Sequence, residues 1–229
     1  MWTKTIGLGL CLALAACGSE TAPPTAPPTD VSAEEASAEE AVAAVGEAPA
    51  EEASAKEADE ATLREAKGAA KQLGTVLKER LLTVVKEEGA SAAMEVCSSE
   101  AQERTAEVAA EKGIHVGRAS LRLRNPENTA PPWVQEWLEA QGERKAEGLD
   151  PFVRGDDTDA GRRARVLMPI GVEEDCLLCH GPHETLAPDV RETLAQRYPT
   201  DQATGYAVGD LRGALWAEAE VVALTPKAP

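Results

Sequence analysis

Cys176 and Cys179 stand three residues apart, and His180 follows at once, in the run Cys176-Leu177-Leu178-Cys179-His180. Two thiols at this spacing can form thioethers with the two vinyl groups of one porphyrin, and the adjacent imidazole is then placed to ligate the iron. The competing chemistries are a redox or structural C-x-x-C with an incidental histidine, and half of a zinc site. Zinc would need two further ligands at matching spacing, and the chain has no second C-x-x-C and no H-x3-5-H. With three histidines in all, one falling here by accident is rare. The run reads as covalent attachment of one haem c, with His180 as the proximal iron ligand.

Residues 1–16 read as a lipoprotein signal peptide. Lys4 supplies positive charge, and Ile6 to Ala16 is apolar or small and too short to span a bilayer. The stretch ends in Leu14-Ala15-Ala16-Cys17-Gly18, similar to the bacterial lipobox, which makes Cys17 the lipidation site and mature N-terminus. Two or more acyl chains give stable membrane attachment, whereas one does not. The expected location is therefore outside the cytoplasm, on a membrane facing the periplasm or cell exterior. Gly18 rather than Asp after Cys17 favours the outer membrane. Of the five cysteines, Cys11 leaves with the signal, Cys17 is acylated, and Cys176 and Cys179 hold haem. Cys97 is left over, and a lone exported thiol implies intermolecular pairing, inert burial or metal ligation.

Residues 17–60 comprise the lipidated cysteine and an acidic Ala/Glu/Pro tether. Beyond Cys17 it carries twelve acidic residues against Lys56, with Pro-Pro pairs at 23–24 and 27–28. Such a segment buries too little to offset its ordering entropy and is expected to be a disordered tether reaching on the order of 35–40 Å. Residues 61–229 form the expected haem domain, with 28 acidic and 21 basic residues; a negative balance of this kind disfavours nucleic acid as a partner.

Within that domain Leu73, Leu77, Leu81 and Val84 recur at helical steps, predicting a helix over about 61–88 stopped by Gly89. A second helix is predicted over about 91–112, with Ala93, Cys97, Ala101 and Val108 on one face. Ile114 to Ser120 reads as extended, as do Leu121 to Leu123, and Pro131-Pro132 opens a helix bearing Trp133, Trp137 and Leu138. Arg165 to Ile170 is a predicted strand leading to the cysteine motif, Asp189 to Arg197 a short helix, and Tyr206 to about Leu224 one or two strands. Helices first and strands later imply an α+β fold rather than a four-helix cytochrome.

The chain resembles a family of single-haem c-type domains with a PAS-like fold, long catalogued as a domain of unknown function. The resemblance covers most of 61–229 and rests on ordered motifs. The first are Val96-Cys97-Ser98, Gly117-Arg118-Ala119-Ser120 and Leu123-Arg124-Asn125-Pro126 with Asn128. Cys176 to Gly181 follows, then Tyr198-Pro199-Thr200-Asp201 with Ala203-Thr204-Gly205-Tyr206. Gly209-Asp210-Leu211-Arg212-Gly213-Ala214 comes last. The chain departs from the pattern at Ile114, where an aromatic is expected, and at Val134, where an acidic residue is expected. The resemblance implies an antiparallel sheet flanked by helices. It also implies iron held by the motif histidine and a cysteine on the N-terminal helix, which fall here on His180 and Cys97. A thiolate donor stabilises ferric iron and lowers its reduction potential.

Rival sixth ligands are His115, His183 and Met168. Arg118, Arg122 and Arg124 could pair with haem propionates, since guanidinium binds carboxylates bidentately; Arg122 reads better as part of a solvated face. Trp133 and Tyr206 read as core packing rather than porphyrin contacts. Two functions remain open. One is a membrane-tethered monohaem cytochrome for single-electron transfer or redox sensing with a separate redox partner protein. The other is a haem-based gas sensor acting through a partner. No nucleophile–base pair or second haem motif argues for an enzyme.

Overall fold

A computed structural model describes residues 48–222. The expected leader, the lipidation site at Cys17 and the tether up to residue 47 lie outside these residues. The described chain is α+β, with a four-stranded antiparallel sheet flanked by helices. The sheet is built from β1 (His115–Ala119), β2 (Phe152–Thr158), β3 (Gly161–Gly171) and β4 (Leu211–Glu220), ordered β1-β4-β3-β2.

Helix α1 (Ala48–Glu88) begins thirteen residues before the expected start at 61. Residues 48–60, read from sequence as tether, are rich in alanine and glutamate, which are strong helix formers. Tertiary contacts hold this turn of chain: Ala58 is buried, and Arg162 Nε donates to both oxygens of Asp59 at 2.8 Å. Further along, Ala66, Ala69, Ala70 and Leu73 are fully buried against the sheet. The alanines let the helix axis lie close, and the larger leucine then fills the space they leave.

Alternation along the strands sorts the two faces of the sheet. Val116, Ala164, Val166, Ala217 and Ala219 pack under α1. On the other face Leu167, Ala214, Trp216 and Phe152 pack against α4 (Pro132–Gln141), where Val134 and Leu138 are buried. Val134 is fully buried there, so the departure from the expected acidic residue falls on a packing position. Gly117 pairs with Trp216 across β1 and β4, and a Cβ at Gly117 would lie 2.7 Å from the indole. Its missing side chain makes room for the ring.

The helix predicted over 91–112 is present but interrupted. It runs as α2 (Ala90–Glu95), a π-helical turn (Val96–Glu100) and α3 (Ala101–Lys112), with the Ala101 N–H bonding back to Val96 O. Leu121 and Arg122 form a bend, and Leu123 belongs to no strand. β2 lies in a stretch given no element from sequence. It is an edge strand carrying Arg154, Asp156 and Asp157, so it lacks the apolar alternation that marks half-buried strands.

Candidate functional site

One cavity of about 500 Å³ lies between α1, the α2–π turn, the ends of the strands and the cysteine motif. Cys97, Cys176, Cys179 and His180 all line it, as do Arg118 and Arg124. The rest of the wall is largely aliphatic, including Leu77, Leu81, Met94, Ile170 and Leu215. Apolar walls, a few convergent polar groups and this size suit a cofactor-scale ligand.

Each reactive side chain reaches the cavity for a local reason. Cys176 closes a short 3-10 turn (Glu174–Cys176), and the Glu173 N–H donates to its Sγ at 3.3 Å. Cys179 and His180 sit on the single helical turn α5 (Leu177–His180) that follows. Burial pushes the Cys179 thiol up to about 11, so the free sulfur is a protonated thiol rather than a ready thiolate. Cys97 sits in the π turn, and the extra residue there shifts the facing of that segment relative to a regular helix. Such turns recur at functional sites.

The imidazole of His180 is held in one tautomer. Its Nδ1 lies 2.6 Å from Ala203 O, and a carbonyl can only accept, so Nδ1 carries the proton. Burial, aided by Arg124, Arg212 and Arg118, pushes His180 down to about 3. At physiological pH the ring is therefore neutral, with its proton on Nδ1 and a lone pair on Nε2. A metal-binding histidine takes this state, with its other ring nitrogen held by a carbonyl as Ala203 O holds Nδ1 here. The edge of Tyr206 stands over the same ring, at 6.2 Å between centroids.

The loop after α6 (Pro188–Arg197) locks the motif in place. Gly205 N–H donates to Gly181 O at 2.8 Å and Tyr206 N–H to His180 O at 2.9 Å. Arg124 is the cross-link between this loop and the motif. Its Nε donates to Asp201 Oδ1 at 3.1 Å, and its Nη2 to Cys179 O at 2.6 Å and Ala203 O at 3.3 Å. Arg124 and Asp201 are 7% and 9% exposed, a buried pair whose hydrogen bonds stay within the protein.

A model of the Tll0287-like family matches residues 33–218. The chain belongs to the Tll0287-like family. Among solved structures, the crystal structure of the cyanobacterial haem protein Tll0287 is similar at 21% identity and a TM-score of 0.51, over 69% of this chain and 96% of that one. At that identity the likeness speaks for the fold. No curated protein sequence matches significantly.

The Tll0287-like domain of this chain thus brings together in one cavity Cys97, Cys176, Cys179, His180, Arg118 and Arg124. The rival ligands separate. His115 and His183 are exposed and stand away from the cavity, whereas Met168 lines it while also packing against the core under α1. Arg122 is exposed, donates to Gln202 O at 2.9 Å and stacks over Tyr206 at 4.1 Å, a loop-holding role. Trp133 packs with Phe152 and Trp216 on the far face of the sheet. Arg212 was missed: it lines the cavity, and its Nε is fully buried with no hydrogen-bond partner. Its signal was the run Gly209 to Ala214, read as family pattern rather than as a charge in the core.

The residues fit a covalently held haem. The cavity offers two cysteines, a neutral imidazole with a free Nε2, a third sulfur at Cys97, aliphatic walls and guanidinium groups.

Proposed function

We propose that this protein is a c-type haem protein, tethered to a membrane outside the cytoplasm, that serves single-electron transfer or redox sensing. One observation carries the reading: Cys97 from the π turn meets Cys176, Cys179 and His180 from the distant cysteine motif on one cavity, with the His180 tautomer already set for ligation. Bound haem would supply a one-electron ferric/ferrous couple. Cys176 and Cys179 would hold the group through thioethers, and His180 Nε2 and Cys97 Sγ would be its iron donors. Ala203 O orients His180 and raises its basicity as a ligand. Aliphatic side chains from α1 and β4 exclude water and favour low dielectric around the iron. A thiolate at Cys97 favours the ferric state and a low potential.

Cys97 in the cavity wall favours electron transfer or redox sensing over gas sensing, because a second protein donor to the iron would compete with a gas for it. The lipid anchor at Cys17 and the acidic segment after it would keep the domain near a membrane, where a separate redox protein is the expected partner. Among the described residues no helix is long and apolar enough to cross a membrane.

The test is the intact mass of the protein exported in a host with haem-attachment machinery. The expected mass includes one haem, and the colour stays with the protein through acid–acetone extraction. Replacing Cys176 and Cys179 together with alanine abolishes both. Wild-type protein that carries no haem, or yields it to extraction, overturns the reading.

A further inference from the structure

We propose that Arg118 and Arg212 form a paired guanidinium clamp for the two carboxylates of the haem, and that Arg124 braces the clamp without belonging to it. The inference rests on the haem reading above and concerns how the cavity seats that group.

The chain is strongly acidic, with a net charge of −17. Its cavity is the reverse. The wall holds Lys71, Lys78, Arg118, Arg124 and Arg212 against only Glu173 and Asp175. Lys78 is committed to Glu173 at 2.6 Å on the exposed rim, and Arg124 to Asp201 inside. Arg118 and Arg212 form no ion pair among the described residues. Two half-buried guanidinium groups on the cavity wall are left without an ion-pair partner, and the Nε of Arg212 is itself fully buried; a desolvated charge without a counter-ion is costly. Two carboxylates entering the cavity would match these two cations.

Hydrogen bonding points the same way. Arg212 Nη1 donates to Ser120 Oγ at 2.6 Å and Arg122 O at 3.1 Å, which fixes the side chain, while Nε has no acceptor. Burial pushes the Arg118 and Arg212 guanidinium groups below their ordinary range, an effect an incoming carboxylate would reverse. Guanidinium suits the role because its fork matches a carboxylate bidentately. Arg124 differs because its Nε and Nη2 are already engaged by Asp201, Cys179 O and Ala203 O.

The test uses the full-length, haem-loaded protein and reads the propionate bending bands by resonance Raman together with the reduction potential. Arg118→Gln and Arg212→Gln are each expected to shift a propionate band and lower the potential, because removing a nearby cation favours ferric iron. Arg124→Gln is expected to lower the unfolding midpoint with the bands in place. If either glutamine variant fails to accumulate, Arg118→Lys and Arg212→Lys keep the charge and lose the fork. They should shift the band while holding the potential closer to wild type. Unchanged bands in haem-loaded Arg118 and Arg212 variants overturn the clamp alone, as does a band shift confined to Arg124→Gln. Wild-type protein without haem instead defeats the reading on which the clamp rests.

Discussion

Arg124 shows why a residue's type does not announce its job. From sequence it was one of three arginines spaced along an extended segment, each able to meet a carboxylate. In the fold its carboxylate is Asp201, seventy-seven residues away, and its other bonds tie the cysteine motif to the loop over it. Removing one partner of a buried pair strands the other charge, so Asp201→Asn should cost about 3–5 kcal/mol of stability, measured by denaturant unfolding. The grouping of Cys176, Cys179 and His180 on one cavity, by contrast, was legible because the three stand at adjacent positions. Cys97 and Arg212 were harder to read. Their roles depend on partners brought close only by folding, and no local spacing encodes that. The resemblance pointed to Cys97; nothing in the sequence singled out Arg212 as a buried charge.

At the scale of elements, the helices were mostly visible in the 3.6-residue recurrence of leucine, valine and alanine. The extent of α1 was not, since Ala/Glu-rich sequence is compatible with both tether and helix, and the Asp59–Arg162 contact decides between them. The π turn at Cys97 was also hidden, because one extra residue in a helical turn leaves no mark on composition. β2 was missed because its outward charges pair along the edge, Asp156 with Arg165 and Asp157 with Arg162. Gly117 was visible only as a motif residue, although the Trp216 ring occupies the volume of its absent side chain. Gly117→Val should therefore force the indole aside and cost about 1–3 kcal/mol, with a changed near-ultraviolet circular dichroism signal from tryptophan. An unchanged signal and unfolding midpoint would place the ring elsewhere.

For the whole molecule, the distribution of charge matters more than its total. An acidic chain gathers cations around one apolar cavity, which suits a ligand that is itself apolar with two acidic ends. The lipid anchor proposed at Cys17 has its own test: Cys17→Ser should move the protein from the membrane fraction to the soluble one while leaving haem content unchanged. Protein remaining in the membrane fraction would mean another mode of attachment. The most direct measurement is the low-temperature electron paramagnetic resonance spectrum of the ferric protein, recorded beside Cys97→Ala. Ligation by His180 and Cys97 predicts a low-spin signal with the narrow g-spread of thiolate coordination, lost in the variant together with a rise in potential. A high-spin wild-type signal, or a spectrum that Cys97→Ala leaves unchanged, would contradict it.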